Sequence, residues 1–248
     1  MKQILFLLTS TLFVTLTVQA QQKQSKFMTE LSFGPSLPIG RFAATSTNGD
    51  KKAAGYAKPG LGLQLSAGYY LNRSFGLLVS AGYATHPQNK QARRESLTRA
   101  GLKINNIDCE NWKELKLMAG GFYITPVGTK LSLITKLTAG VCKTGIPKIN
   151  GSGIDTVYMA PAIIQTDKKS LPWAFCYQAS AGLQYKLSQK WYALVDVSYF
   201  NATAVNKYTY TTYSLSPQTT VIVGPTVSGK AKYGLATINT LVGVGVNF

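Results

Sequence analysis

Acidic residues are scarce: nine Asp and Glu stand against 26 Lys and Arg in 248 residues, a formal charge of +17. Such an excess usually points to nucleic acid. Here charged residues make up only 14% of the chain, while Gly and Tyr number 23 and 14, so nucleic acid is not the expected partner. Histidine occurs once, as His86, and a lone imidazole with scattered acids offers no metal-ligand cluster. The glycines are dispersed and form no phosphate-binding fingerprint, so no cofactor is expected. Past the N-terminal segment, no uninterrupted apolar run reaches the roughly 20 residues of a membrane helix. Disorder is also excluded, because 45% hydrophobic residues suffice for a core.

The N-terminus reads as an export leader. Met1, Lys2 and Gln3 form a positive n-region, residues 4–18 an apolar stretch, and Val18-Gln19-Ala20 a small-residue cleavage site. The stretch is too short for a bilayer-spanning helix, and no Cys stands at the cleavage point to carry a lipid. The expected division is a signal peptide over 1–20 and one β-barrel domain over 21–248. Loss of Lys2 with the leader leaves +16.

A membrane-spanning strand needs only about 9 to 11 residues with every second one apolar. That pattern recurs eight times, over 27–33, 61–71, 75–83, 115–123, 131–141, 173–185, 191–199 and 238–248. The interleaved parity is small and polar, with Glu30, Ser66, Ser80, Glu114, Lys116, Lys136, Gln178, Gln184 and Asp196 among its members. The links between runs alternate strictly. Three are short, at 72–74, 125–129 and 188–190; four are long, at 35–58, 86–111, 144–172 and 204–232. Outer-membrane barrels show this alternation as short periplasmic turns and long extracellular loops. Aromatics fall near both ends of the runs: Phe75, Tyr123, Tyr185, Trp191 and Phe248 at one, Phe33, Tyr83, Trp112, Trp173, Tyr199 and Tyr233 at the other. They are expected to form two interfacial girdles. The fold class predicted is all-β, an eight-stranded antiparallel up-and-down transmembrane β-barrel. Apolar stretches at 157–164 and 208–223 leave ten strands as an alternative, though Pro225 opposes a regular central strand there.

Three features carry a family resemblance: the segment Phe33-Gly34-Pro35-Ser36-Leu37-Pro38-Ile39-Gly40-Arg41-Phe42, the Ala-Gly-Tyr text at 67–69 and 81–83, and a last strand with Val242, Val244, Val246 and terminal Phe248 on one face. With these the chain resembles the outer-membrane protein β-barrel domain family, the small barrels similar to the OmpA transmembrane domain and OmpX. The resemblance implies residence in the cell outer membrane. It also implies that Phe248 contributes to the signal read by the barrel-insertion machinery, a partner during biogenesis.

An eight-stranded barrel is just wide enough inside to be filled by side chains. The inward parity therefore predicts a mutually paired network of Glu30, Glu114, Lys116, Lys136 and Asp196 that plugs the lumen; a selective proton or ion path through the same residues is the alternative. Cys142 and Cys176 share inward parity on neighbouring strands and are the favoured disulfide, against three reduced thiols with Cys109. His86 begins a long link and is expected to be a solvated loop residue without a catalytic partner, so no enzyme is predicted. The long links carry 15 cations and six acids, a surplus of +9. Lys51, Lys52, Lys90, Arg93, Arg94, Lys168 and Lys169 are the residues expected to contact anionic sugars and phosphates, with outer-membrane lipid and lipopolysaccharide as partners. Another envelope protein is a further candidate partner. The functional expectation is a structural or binding protein acting through basic loops. The alternative is transport, as a small porin or as an accessory barrel of an envelope secretion system similar to the PorT family.

Overall fold

The structure, a computed structural model, describes residues 26–46, 52–99, 101–156, 160–166, 169–215 and 221–248. The leader, Lys51 and Lys168 lie outside these residues. Where alternation is strongest, eight long strands form: β1 (Phe27–Pro38), β3 (Gly60–Tyr70), β4 (Phe75–His86), β6 (Trp112–Pro126), β7 (Leu131–Ile146), β11 (Ala174–Lys186), β12 (Trp191–Leu215) and β13 (Val221–Asn247). Each pairs antiparallel with the next, and β1 pairs with β13 from Met28↔Asn247 to Pro38↔Thr237. The ring therefore closes, and in the order β1-β3-β4-β6-β7-β11-β12-β13 no backbone edge is left within it. A sheet in lipid requires this, since an unpaired N–H or C=O in hydrocarbon costs several kcal/mol. No described helix is long and apolar enough to cross a membrane.

The faces are inverted relative to a soluble barrel. Outward parity exposes Phe33, Leu65, Val79, Leu117, Leu137, Phe175, Val197 and Val242, whereas Glu30, Ser66, Lys136, Gln178 and Asp196 are buried inside. Leu137 is 67% exposed and its neighbour Lys136 only 7%. In water that arrangement would be untenable; facing hydrocarbon, it is the stable one. The barrel is thus of the eight-stranded transmembrane type, and the count is eight rather than ten. Within the apolar stretch at 208–223, residues 208–215 and 221–223 do form strand, but as the outer part of the paired β12 and β13. Beyond Ala202 and Thr237 these strands have left their ring neighbours β11 and β1. Their register then shifts between Thr211 and Tyr213, opposite Pro225, which has no N–H to give to a ladder.

The short turns are built locally. In the β3–β4 turn, Asn72 Oδ1 accepts from the N–H groups of Ser74 and Phe75 at 2.9 and 2.8 Å. In the β11–β12 turn, Ser188 Oγ accepts from Lys190 and Trp191 at 3.3 and 3.1 Å. At the other end the long links are structured. The first carries β2 (Lys52–Ala53), which pairs in parallel with Lys232 and Tyr233 of β13. The second carries α1 (Lys90–Arg99) and β5 (Leu102–Cys109). The third carries β8 (Ile149–Asp155), β9 (Ala160–Thr166) and β10 (Lys169–Ser170), the last pairing with the end of β7. β5, β8 and β9 form a separate three-stranded antiparallel sheet, joining two links that are distant in sequence.

Placing a cation on the outward face tests the inversion. Leu117→Arg, midway along β6, is expected to lower folding stability in lipid vesicles by about 2–4 kcal/mol, measured by reversible denaturant unfolding. Arg at the exposed turn residue Thr129 is expected to change it little.

Candidate functional site

The interior is stacked in layers along the barrel axis. At the short-turn end Met28, Leu78, Phe122, Ile124 and Ile134 form a buried apolar cluster, with Tyr70 edge-on to Phe122 at 5.1 Å between centroids. Phe122 fits because glycines stand opposite: a Cβ on Gly76 would collide with its ring, and one on Gly68 would strike Met28 and crowd the same ring. Small residues on the inward parity thus make room beside large ones.

Above this lies a polar layer. Lys136 Nζ meets Glu30 Oε2 at 2.5 Å and Asp196 Oδ2 at 3.7 Å. Glu30 Oε1 accepts from Gln184 Nε2 and from the Tyr192 hydroxyl, each at 3.1 Å. Four strands supply these groups, and β1 and β7 lie diametrically opposite in the ring. The Glu30–Lys136 bond therefore spans the full lumen. A second tie does the same from β3 to β11, where Gln178 Nε2 donates to Gln64 Oε1 at 3.1 Å. A buried charge is tolerable only when paired and hydrogen-bonded, and Glu30 uses both its oxygens. The five charged residues form two groups rather than one network. In the second, Lys116 Nζ lies 3.7 Å from Glu114 Oε2 and 3.8 Å from the centre of the Phe200 ring, so its charge is shared between an ion pair and a cation–π contact.

The third layer closes the long-loop end. Residues 39–46 and 52–57 turn inward instead of outward. Gly40 takes a left-handed φ of 56°, Phe42 becomes buried, and the Ala57 and Gly55 N–H groups donate to the carbonyls of Phe42 and Arg41 at 3.0 and 2.9 Å. A Cβ on Gly55 would strike the Phe42 carbonyl. Phe42 stacks edge-on with His86 and Trp112, at 5.1 and 5.6 Å, over a cluster that includes Met118, Phe200 and Leu235. Trp112 Nε1 donates to the Gly55 carbonyl at 2.9 Å. Trp112 is only 1% exposed and Tyr233 packs on the same cluster, so neither belongs to the lipid-facing girdle expected of them. Trp112 shares the even, inward parity of Glu114 and Lys116. His86 is likewise no solvated loop residue: it ends β4 fully buried, with Nε2 3.4 Å from Ser36 Oγ. Ser36 donates to Asn239 Oδ1 at 2.5 Å, and Asn239 in turn to Ser198 Oγ at 3.2 Å.

The cysteines stand as free thiols. Cys142 lies opposite Ala174 and Cys176 opposite Gly140, so the two are diagonal neighbours on adjacent strands and are not bridged. Cys109 is buried apart from them in the three-stranded sheet, where burial raises its thiol above the ordinary range.

That sheet and α1 make a folded cap. Asn89 Oδ1 caps the helix N-terminus, accepting from the Ala92 N–H at 3.1 Å; Gly101, with φ of 87°, ends it. Leu97 and Leu102 pack on Ile104, Ile107, Cys109 and Ile149. The loop cations expected to bind anions therefore differ in circumstance. Lys90 pairs with Asp108 at 2.7 Å. Arg93 is a structural cation, half-buried over the Tyr56 ring at 4.0 Å and donating to Gln88 Oε1 at 3.3 Å. Arg94 is exposed. Lys52 and Lys169 lie on the short strands β2 and β10. Phe248 is exposed, and its backbone exchanges hydrogen bonds with Phe27 at the ring closure. Sequence reasoning missed Phe42, Gln64 and Tyr192; the last two share the inward parity of Ser66 and Asp196.

No family model matches the chain, and no curated protein matches it. Among solved structures it is similar to Neisserial surface protein A, at 12% identity and a TM-score of 0.45, over 92% of this chain and 100% of that one. The outer membrane protein OprG from Pseudomonas aeruginosa follows at 13% and 0.46, over 92% and 97%. Ail, the attachment invasion locus protein of Yersinia pestis, gives 15% and 0.43, over 91% and 99%. The eight-stranded ring rests on the register described above and not on these likenesses.

Two measurements test the interior and the cap. Lys136→Met strands two buried carboxylates and is expected to cost about 3–5 kcal/mol; neutralising Glu30 and Asp196 as well, to Gln and Asn, should recover most of it in the same unfolding assay. In the cap, the Lys90 hydrogen bond holds the Asp108 carboxyl below its ordinary value. The contact is therefore complete above the ordinary carboxylate range and is lost as pH falls through the lowered value, which an NMR titration of Asp108 reads directly.

Proposed function

We propose that this protein is an integral outer-membrane β-barrel with a closed lumen, acting as a binding protein through a basic extracellular cap and carrying out no catalysis. The orientation follows the loop asymmetry: short turns to the periplasm, long links outside. The observation that carries the reading is the order of the cap. A scaffold needing only to span the membrane would gain nothing from a helix and a three-stranded sheet assembled from two separate links. Surface loops built into defined structure are where binding residues are commonly held.

The exposed cap cations Arg94, Arg99 and Lys103 have no ion pair among the described residues. Anionic glycolipid of the outer leaflet, with phosphates and sugar acids at the height of the cap, is the ligand chemistry that complements them. Guanidinium groups suit it, because their planar fork meets phosphate with two parallel hydrogen bonds.

The test is binding of the refolded full chain to lipopolysaccharide at two salt concentrations. The triple variant Arg94→Gln/Arg99→Gln/Lys103→Gln is expected to weaken binding at least about tenfold, and the difference should shrink as salt screens it. Equal binding by variant and parent would reject the cap as the site.

A further inference from the structure

The periplasmic end of the barrel is also basic, independently of the cap. Lys26, Arg73, Lys130, Lys186 and Lys190 are all exposed there, and the three short turns contain no Asp or Glu. None of the five has an ion pair among the described residues. Three of them, Arg73 from the β3–β4 turn, Lys130 from the β6–β7 turn and Lys186 from the end of β11, converge on one cavity of about 290 Å³. Its inner wall is made of inward-parity residues, among them Ser132, Gln184 and Tyr192.

Like charges brought together over a concave, low-dielectric floor repel one another and focus a positive field outward. Nothing in the barrel requires these cations to meet: each sits on or beside a different turn, where a cation pointing into bulk water would serve solubility equally. The floor is firm and electrically quiet, because Gln184 and Tyr192 are fixed by their hydrogen bonds to Glu30, and Glu30 is neutralised by Lys136. Ser132 adds a hydroxyl at the wall. The volume lies at the small end of ligand cavities, which run from roughly 300 to 1,000 Å³.

We propose that the periplasmic mouth is a binding site for a small multivalent anion, a phosphate-bearing group being the chemistry that three converging cations and neutral hydrogen-bonding side chains recognise. This group is supplied either by a soluble phosphate compound or by the headgroup of an inner-leaflet lipid. The barrel is closed above the site, so the anion binds from the periplasmic side and does not pass through.

The experiment uses the full chain in nanodiscs of phosphatidylcholine, titrated with pyrophosphate by calorimetry. Binding tighter than about 1 mM is expected. Arg73→Gln/Lys130→Gln/Lys186→Gln is expected to weaken it at least about tenfold, while the cap variant of the preceding subsection leaves it unchanged. Lys130→Glu alone, an exposed turn substitution, should weaken it as well; heat-modifiable gel migration checks that each variant is folded. In nanodiscs containing phosphatidylglycerol, unchanged pyrophosphate binding assigns the site to a soluble anion, and competition by the lipid assigns it to a headgroup. No binding at about 1 mM, or equal binding by parent and triple variant, would overturn the proposal. Because the cap variant is scored separately, failure here leaves the glycolipid reading standing, and the converse holds.

Discussion

Closure of the ring between β1 and β13 is the constraint from which the rest follows. In hydrocarbon no sheet edge can be left open, and the antiparallel pairing of Met28–Pro38 with residues 237–247 removes the last one. With eight strands the lumen is narrow, so Gly, Ser, Ala and Thr on the inward parity are interspersed with the large residues and make room for them. Phe122 over Gly68 and Gly76, and Tyr192 against Gly245, are instances. A narrow lumen also lets one side chain from each of two opposite strands meet. Glu30 and Lys136, and Gln64 and Gln178, do so, which turns the polar filling into cross-braces.

The interior is therefore layered: an apolar cluster beside a wall of Ser132, Gln184 and Tyr192 at the short-turn end, ionic groups in the middle, and an apolar cluster again beneath the inward-folded residues 39–46 and 52–57. The outer stopper is covalently part of the first long link and is held by Phe42, Trp112 and the Gly55 carbonyl. This links packing to function. With both ends and the middle occupied, what the protein offers to its surroundings is its two basic ends and its lipid-facing wall, and the exposed Lys and Arg lie at those ends instead of in the lumen.

The barrel was legible in the sequence because its signal is local: period-two alternation and alternating link lengths need no knowledge of partners. Parity also marked Glu30, Lys136 and Asp196 as inward. What it did not reveal depends on contacts between distant segments. Which inward residues face each other across the lumen follows from strand order and stagger, so two ionic groups were read as one. β5 pairs with β8 some 45 residues away, as Leu102↔Asp155 and Cys109↔Ile149 show, and no local pattern announces that. His86 and Trp112 were misplaced for another reason. Both sit at strand ends, where position along the chain suggested loop or girdle; the even parity of Trp112 pointed inward and was the better guide. Cys142 and Cys176 lie on neighbouring strands, but their diagonal offset depends on register, which alternation alone does not supply.

Single-channel recording of the purified full chain in planar bilayers tests whether these three layers close the lumen. A closed lumen leaves the bilayer silent, with no persistent open state. A large, lasting conductance from the unaltered protein would contradict it.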